Sequence, residues 1–117
     1  MVYYANYLKY LERARTELIY QLNLNHKVLK KKYNTNIIVR SCNIKYKKPG
    51  FFEDHLVVCT NLNSYSASTI NLAQNVMRNK ELIVSADVQL VTVNNKGKIT
   101  KMPNILTNGL QNIIKDI

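Results

Sequence analysis

The chain has 117 residues, enough for one domain with its own core. Its hydrophobic share of 46% excludes a disordered chain, and no apolar run reaches the length of a membrane span. The net charge is +10, from 17 basic and 7 acidic side chains. That excess suits an anionic partner such as nucleic acid, a membrane surface or a phosphorylated ligand. It also follows from codon bias, because the chain is rich in Lys, Asn, Tyr and Ile, all with AT-rich codons.

The N-terminus, Met1 to Tyr10, has no basic region ahead of an apolar one, so a cytoplasmic location is expected. Asn6 to Leu22 predicts a helix. Leu8, Leu11, Ala14, Leu18 and Leu22 recur at helical spacing, Ile19 and Tyr20 widen the stripe, and Glu12, Arg13, Arg15 and Glu17 take the polar side. Asn23 to Asn36, with Lys30-Lys31-Lys32, is expected to be a solvated connection. Four strands follow: Ile37–Tyr46, His55–Asn63, Thr69–Arg78 and Leu82–Val93. Lys47-Lys48-Pro49-Gly50, Asn79-Lys80 and Asn94-Asn95-Lys96-Gly97 supply turns. Pro103 suits the first position of a second helix carrying Ile105, Leu106, Leu110, Ile113, Ile114 and Ile117. The order predicts an α+β domain over residues 1–117: an antiparallel sheet with helices on one side.

Cys42 and Cys59 make no CxxC pair and are expected to be reduced, partly buried thiols. His26 and His55 have no metal-ligand spacing, and only three glycines are present, without a phosphate loop. Glu12 and Glu17 are expected to pair with neighbouring arginines on the helix surface.

Val2-Tyr3-Tyr4-Ala5-Asn6-Tyr7 and Glu12-Arg13-Ala14-Arg15-Thr16-Glu17 resemble the start of the central helix in the Tol–Pal-associated acyl-CoA thioesterases. These are relatives of 4-hydroxybenzoyl-CoA thioesterase. Tyr46, Pro49 and Glu53-Asp54 agree with the same family at the turn into the next strand. The resemblance implies a hot-dog fold, a curved antiparallel sheet wrapped around one long helix. It implies a homodimer or homotetramer with acyl-CoA at the subunit interface, CoA thioester as substrate and no cofactor.

Thioester hydrolysis needs an activated water or an attacking carboxylate, and a grip on the oxygen that gains charge. The resemblance puts the grip at the backbone N–H of Tyr4, where helix donors are unpaired. It places Tyr3, Ala5, Asn6 and Tyr7 near substrate or a partner subunit, although Asn6 also suits an N-cap and Tyr7 the core. The carboxylate it implies is an Asp a few residues before Val2, upstream of Met1. Met1 is therefore expected to be an internal methionine of a longer gene, with the family's first strand missing from this chain. Asp54, Asp87 and Asp116 do not match that position.

At Tyr65-Ser66-Ala67-Ser68 the 4-hydroxybenzoyl relatives carry basic residues that meet the CoA phosphates. Here no Lys or Arg occurs between Asn61 and Met77. Ser66 and Ser68 are candidate contacts, and Lys47 and Lys48 candidate charges. An acyl-carrier protein is an alternative donor of the acyl group. Two further readings stand beside the hydrolase: an inactive hot-dog protein serving acyl or envelope metabolism, and a basic nucleic-acid module. The last lacks clustered basic residues interleaved with stacking aromatics.

Overall fold

In the computed structural model, residues 4–51 and 54–115 are described. Seven elements follow in chain order: α1 (Tyr4–Gln21), α2 (His26–Tyr33), β1 (Asn36–Tyr46), β2 (Leu56–Tyr65), β3 (Thr69–Arg78), β4 (Glu81–Val93) and α3 (Asn104–Lys115). The strands form one antiparallel sheet in the order β1-β4-β3-β2. Among the described residues, β1 therefore pairs only with β4, and β2 only with β3. Bulges fall at Val39/Ser41, Leu62/Ser64 and Val76/Met77, where an unpaired residue bends a strand.

β3 alternates strictly, with Ile70, Leu72, Gln74 and Val76 buried on one side. β4 adds Ile83, Val84, Ala86, Val88 and Leu90. α1 lies over this sheet through Tyr7, Leu11 and Ile19, and Leu106 and Leu110 of α3 complete the core. β4 buries consecutive residues on both faces near its end, from Leu90 to Val93. This is the α+β hot-dog arrangement expected from the sequence.

Four expectations change. The stretch Asn23 to Asn36 is not only a connection, because it contains α2. Asn25 Oδ1 accepts the Val28 N–H at 2.8 Å as N-cap, and Asn34 ends the helix in the left-handed region at φ 51°. Leu29, fully buried, pins the helix down while its lysines stay in water. The apolar stripe of α1 is also rotated from the predicted one. Leu8 is 48% and Tyr20 70% exposed, and Tyr7 takes the inward position. Pro103 precedes α3 rather than opening it, and its carbonyl accepts the N–H groups of Leu106 and Thr107.

Both cysteines are free and exposed, not partly buried. No described helix is long and apolar enough to cross a membrane.

Candidate active site

The start of α1 lies against the loop that leaves β1. Tyr7 is 1% exposed and packs its ring edge-on to Tyr10, with centroids 6.1 Å apart, and tilted against Tyr46 at 6.0 Å. Its hydroxyl faces the Gly50 backbone amide, yet no described group closes a hydrogen bond with it. Burial pushes the Tyr7 phenol above its ordinary value.

The first-turn N–H groups of α1 have no partners within the helix, which is what an oxyanion requires. Tyr4 and Ala5 stand in this turn, and Tyr3 lies outside the described residues. Asn6 is the third residue of the helix and therefore not its N-cap.

The loop over Tyr7 is tied down by Arg78. Its Nη1 donates to Pro49 O at 3.0 Å and to Asp54 Oδ2 at 2.9 Å, and its Nη2 meets Glu81 Oε1. Asp54 Oδ2 also accepts the Phe51 N–H at 2.8 Å, closing the loop on itself. Hydrogen bonds from Arg78 and the Phe51 amide hold the Asp54 carboxyl below its ordinary value. Lys48 and Arg78 do the same for Glu81. Asp54 is thus committed to loop structure. Lys48 donates to Glu81 Oε2 at 2.8 Å, so it is part of the same network rather than a free charge.

A groove of about 410 Å³ runs between α1 and the outer edge of β2, lined by Tyr10, Arg13, Glu17, Asp54, Leu56 and Val58. A second cavity of about 380 Å³ lies between α1 and the sheet. Glu12, Arg15, Thr16 and His26 contribute polar groups to it, opposite Ile70 and Leu90. Arg15 does not pair on the helix surface as expected. It turns inward and donates to Gln74 Oε1 at 2.9 Å. Neither Glu12 nor Glu17 forms an ion pair among the described residues. Sequence reasoning missed Gln74, and the only signal was a polar side chain on the inward phase of β3.

Ser66 and Ser68 lie on the turn between β2 and β3. Ser66 Oγ and Thr69 Oγ1 share a hydrogen bond at 2.5 Å, and Ser68 O accepts the Thr92 N–H at 2.9 Å. This turn and the Tyr7 loop stand at opposite ends of β2, whose ten residues span roughly 30 Å. The structure therefore does not bring Ser66 and Ser68 to the start of α1 within one subunit. His55 is exposed, and no group of three or more metal-binding side chains forms among the described residues.

An antiparallel sheet over a long helix is the hot-dog arrangement. The chain belongs to the thioesterase-like superfamily, which it matches over residues 1–110. Among its relatives is the Haemophilus influenzae protein named acyl-CoA thioesterase YbgC, 32% identical over 93 residues, covering 80% of this chain and 68% of that protein. A structure of an Aquifex aeolicus protein superposes with a TM-score of 0.86 at 25% identity, covering 94% of this chain and 86% of the other. A DHNA-CoA thioesterase from Staphylococcus aureus shares the fold at a TM-score of 0.86 and 19% identity, covering 97% and 79% of the two chains.

Proposed function

We propose that the protein is an acyl-CoA thioesterase, hydrolysing acyl-CoA to the free acid and CoA. The observation that carries this reading is the start of α1: motif residues Tyr4 to Tyr7 open a helix whose first N–H groups are free of helix partners. The 32% identity to the H. influenzae acyl-CoA thioesterase supports it.

In this reading the thioester carbonyl rests on the Tyr4 N–H, with Ala5 nearby. Water adds to the carbonyl carbon as a carboxylate takes its proton, and the oxygen becomes an alkoxide held by the helix donors. Collapse breaks the C–S bond, and the proton goes to the leaving CoA thiolate. One such donor is worth roughly 3–4 kcal/mol of barrier.

The resemblance assigns the carboxylate to an aspartate ahead of Val2-Tyr3-Tyr4. The form expected to turn over substrate is therefore a chain extended on the N-terminal side of Met1. The open outer edge of β2 is consistent with a further strand in that form. The distance between the Ser66–Ser68 turn and α1 supports a homodimer in which one acyl-CoA spans two copies. We read the protein as a cytoplasmic enzyme of the Tol–Pal-associated type.

The test is hydrolysis of acyl-CoAs of graded length by the gene product with its upstream in-frame residues. Release of CoA, abolished by substituting the upstream aspartate, is the expected result. An extended product that leaves every acyl-CoA intact sinks the hydrolase reading in favour of the inactive hot-dog protein.

A further inference from the structure

Two basic segments far apart in sequence meet at one end of the sheet. α2 carries Lys27, Lys30, Lys31 and Lys32, all exposed, and the turn after β4 carries exposed Lys96. Asn95, next to Lys96, clamps the turn to the helix. Its N–H donates to Asn34 Oδ1 at 2.8 Å, and its Nδ2 donates to Lys30 O at 3.2 Å. Its Oδ1 accepts from Asn36 Nδ2 at 2.9 Å. The turn cannot leave α2 without losing all three bonds.

No acidic side chain answers this charge locally. Residues 18–52 and 88–115 contain no Asp or Glu, and none of the five lysines forms an ion pair among the described residues. Asp54 and Glu81, which Arg78 and Lys48 neutralise, lie at the far end of β4, whose 13 residues span roughly 40 Å. Codon bias sets how many lysines a chain has, not that they meet in space without acids. Helix stability does not account for Lys27 either, since it stands in the first turn of α2, where the helix dipole repels a cation.

Apolar side chains stand among these charges. Val28, between Lys27 and the later lysines of α2, is 37% exposed, and Ile99, three residues after Lys96, is 63% exposed. A nucleic-acid surface would want open rings to stack on bases. The aromatic residue of α2, Tyr33, is half-buried, with the Lys32 ammonium 5.6 Å from its ring centroid.

We infer that α2 and the turn after β4 form a docking surface for an anionic lipid bilayer. Lysines act as point charges, which suits a fluid layer of headgroups that offers no fixed geometry to match. Val28 and Ile99 then enter the boundary between headgroups and acyl chains. The charge separation along β4 turns this end toward a negative surface. The inference goes beyond the thioesterase reading and does not depend on it.

Co-sedimentation of the full 117-residue chain with vesicles tests it without turnover. The vesicles are phosphatidylcholine alone and an equal mixture of phosphatidylcholine with phosphatidylglycerol. Binding is expected to the mixture and not to phosphatidylcholine, and it should fall steeply as added salt shortens the screening length. Lys27→Gln with Lys96→Gln should weaken it about 25-fold, at about fivefold for each lysine near the surface. Lys31→Gln alone should weaken it about fivefold, and Lys27→Arg should keep it. Lys80→Gln, on the β3–β4 turn, should leave it unchanged. All these positions are exposed, and thermal unfolding is compared with the parent. No binding to the anionic vesicles overturns the inference, as does an equal loss in Lys80→Gln, which would report net charge alone. Parental binding in both the Lys27–Lys96 double variant and Lys31→Gln overturns it too. Displacement by inorganic phosphate at matched ionic strength overturns it in favour of a free-phosphate site. Tighter binding to duplex RNA or DNA than to the vesicles overturns it in favour of nucleic acid.

Discussion

Arg15 on α1 donates to the Oε1 of Gln74 on β3 at 2.9 Å, and Gln74 is fully buried. The same amide reaches back through its Nε2 to Leu11 O and Thr60 Oγ1, both at 3.0 Å. One side chain thereby fastens the central helix to two strands. The guanidinium in turn finds a neutral acceptor where burial disfavours its charge and lowers its pKa.

Replacing Gln74 with Ala should therefore destabilise the fold by more than a lost methylene stem would. The Leu11 carbonyl loses its side-chain partner, and Arg15 loses its acceptor. A cost of about 2–4 kcal/mol is expected from a cavity plus unsatisfied groups. Gln74→Glu should also destabilise, because a carboxylate cannot donate to Leu11 O and Thr60. Urea unfolding with both variants checks this, and stability equal to the parent in Gln74→Glu would show that Arg15 alone sets the contact.

The Arg78 network makes part of the stability depend on pH. Asp54 and Glu81 are both held below their ordinary values of 3.8 and 4.5 by hydrogen bonds from Arg78, Lys48 and the Phe51 amide. A depressed folded pKa means the unfolded chain binds protons first as pH falls. The contribution is therefore fully present above about pH 4.5 and is lost as pH falls through the lower folded values. Arg78→Met should flatten the acid limb of a Tm-against-pH profile between neutrality and pH 3. An unchanged acid limb would mean other carboxylates dominate it.

Tyr7→Phe removes a buried hydroxyl that no described group satisfies. Stability should stay level or rise by up to about 1 kcal/mol, since burial desolvates the hydroxyl and, among the described residues, only the Gly50 amide faces it. The raised phenol also predicts an alkaline signature. Stability from keeping Tyr7 neutral is complete below the ordinary value of 10.0 and is lost as pH rises through the higher folded value. Denaturation midpoints from pH 9 to 12 should show that loss in the parent and not in Tyr7→Phe. A stability loss in the variant at pH 7 would reveal a bonding role for the hydroxyl.

Asn25→Ala removes the N-cap of α2 and should cost about 1 kcal/mol. Hydrogen exchange should rise first in His26–Tyr33, because a helix of eight residues has little propensity of its own to fall back on. Parental exchange in α2 would mean that the burial of Leu29 alone holds it.

Some of this was written in the sequence and some was not. The four strands and the two longer helices follow from local period, because alternation and 3.6-residue repeats report which face of an element meets the core. α2 escaped that logic. Its eight residues carry four lysines and a single buried anchor, Leu29, so the apolar signal is too short to read. The rotation of α1 escaped as well, since Leu8 and Tyr7 are both apolar candidates and only the sheet beneath decides which one faces in.

The chain's own residues determined the class of fold and, through the motif from Val2 to Glu17, its family. Only the tertiary structure decided which groups meet: Arg15 with Gln74, Arg78 with the loop at Pro49–Asp54, and Met102 with Ala67 on the turn between β2 and β3. Each of those meetings joins residues more than twenty positions apart. Local periodicity carries no information about such pairs, because they are set by strand order and register once the core has closed.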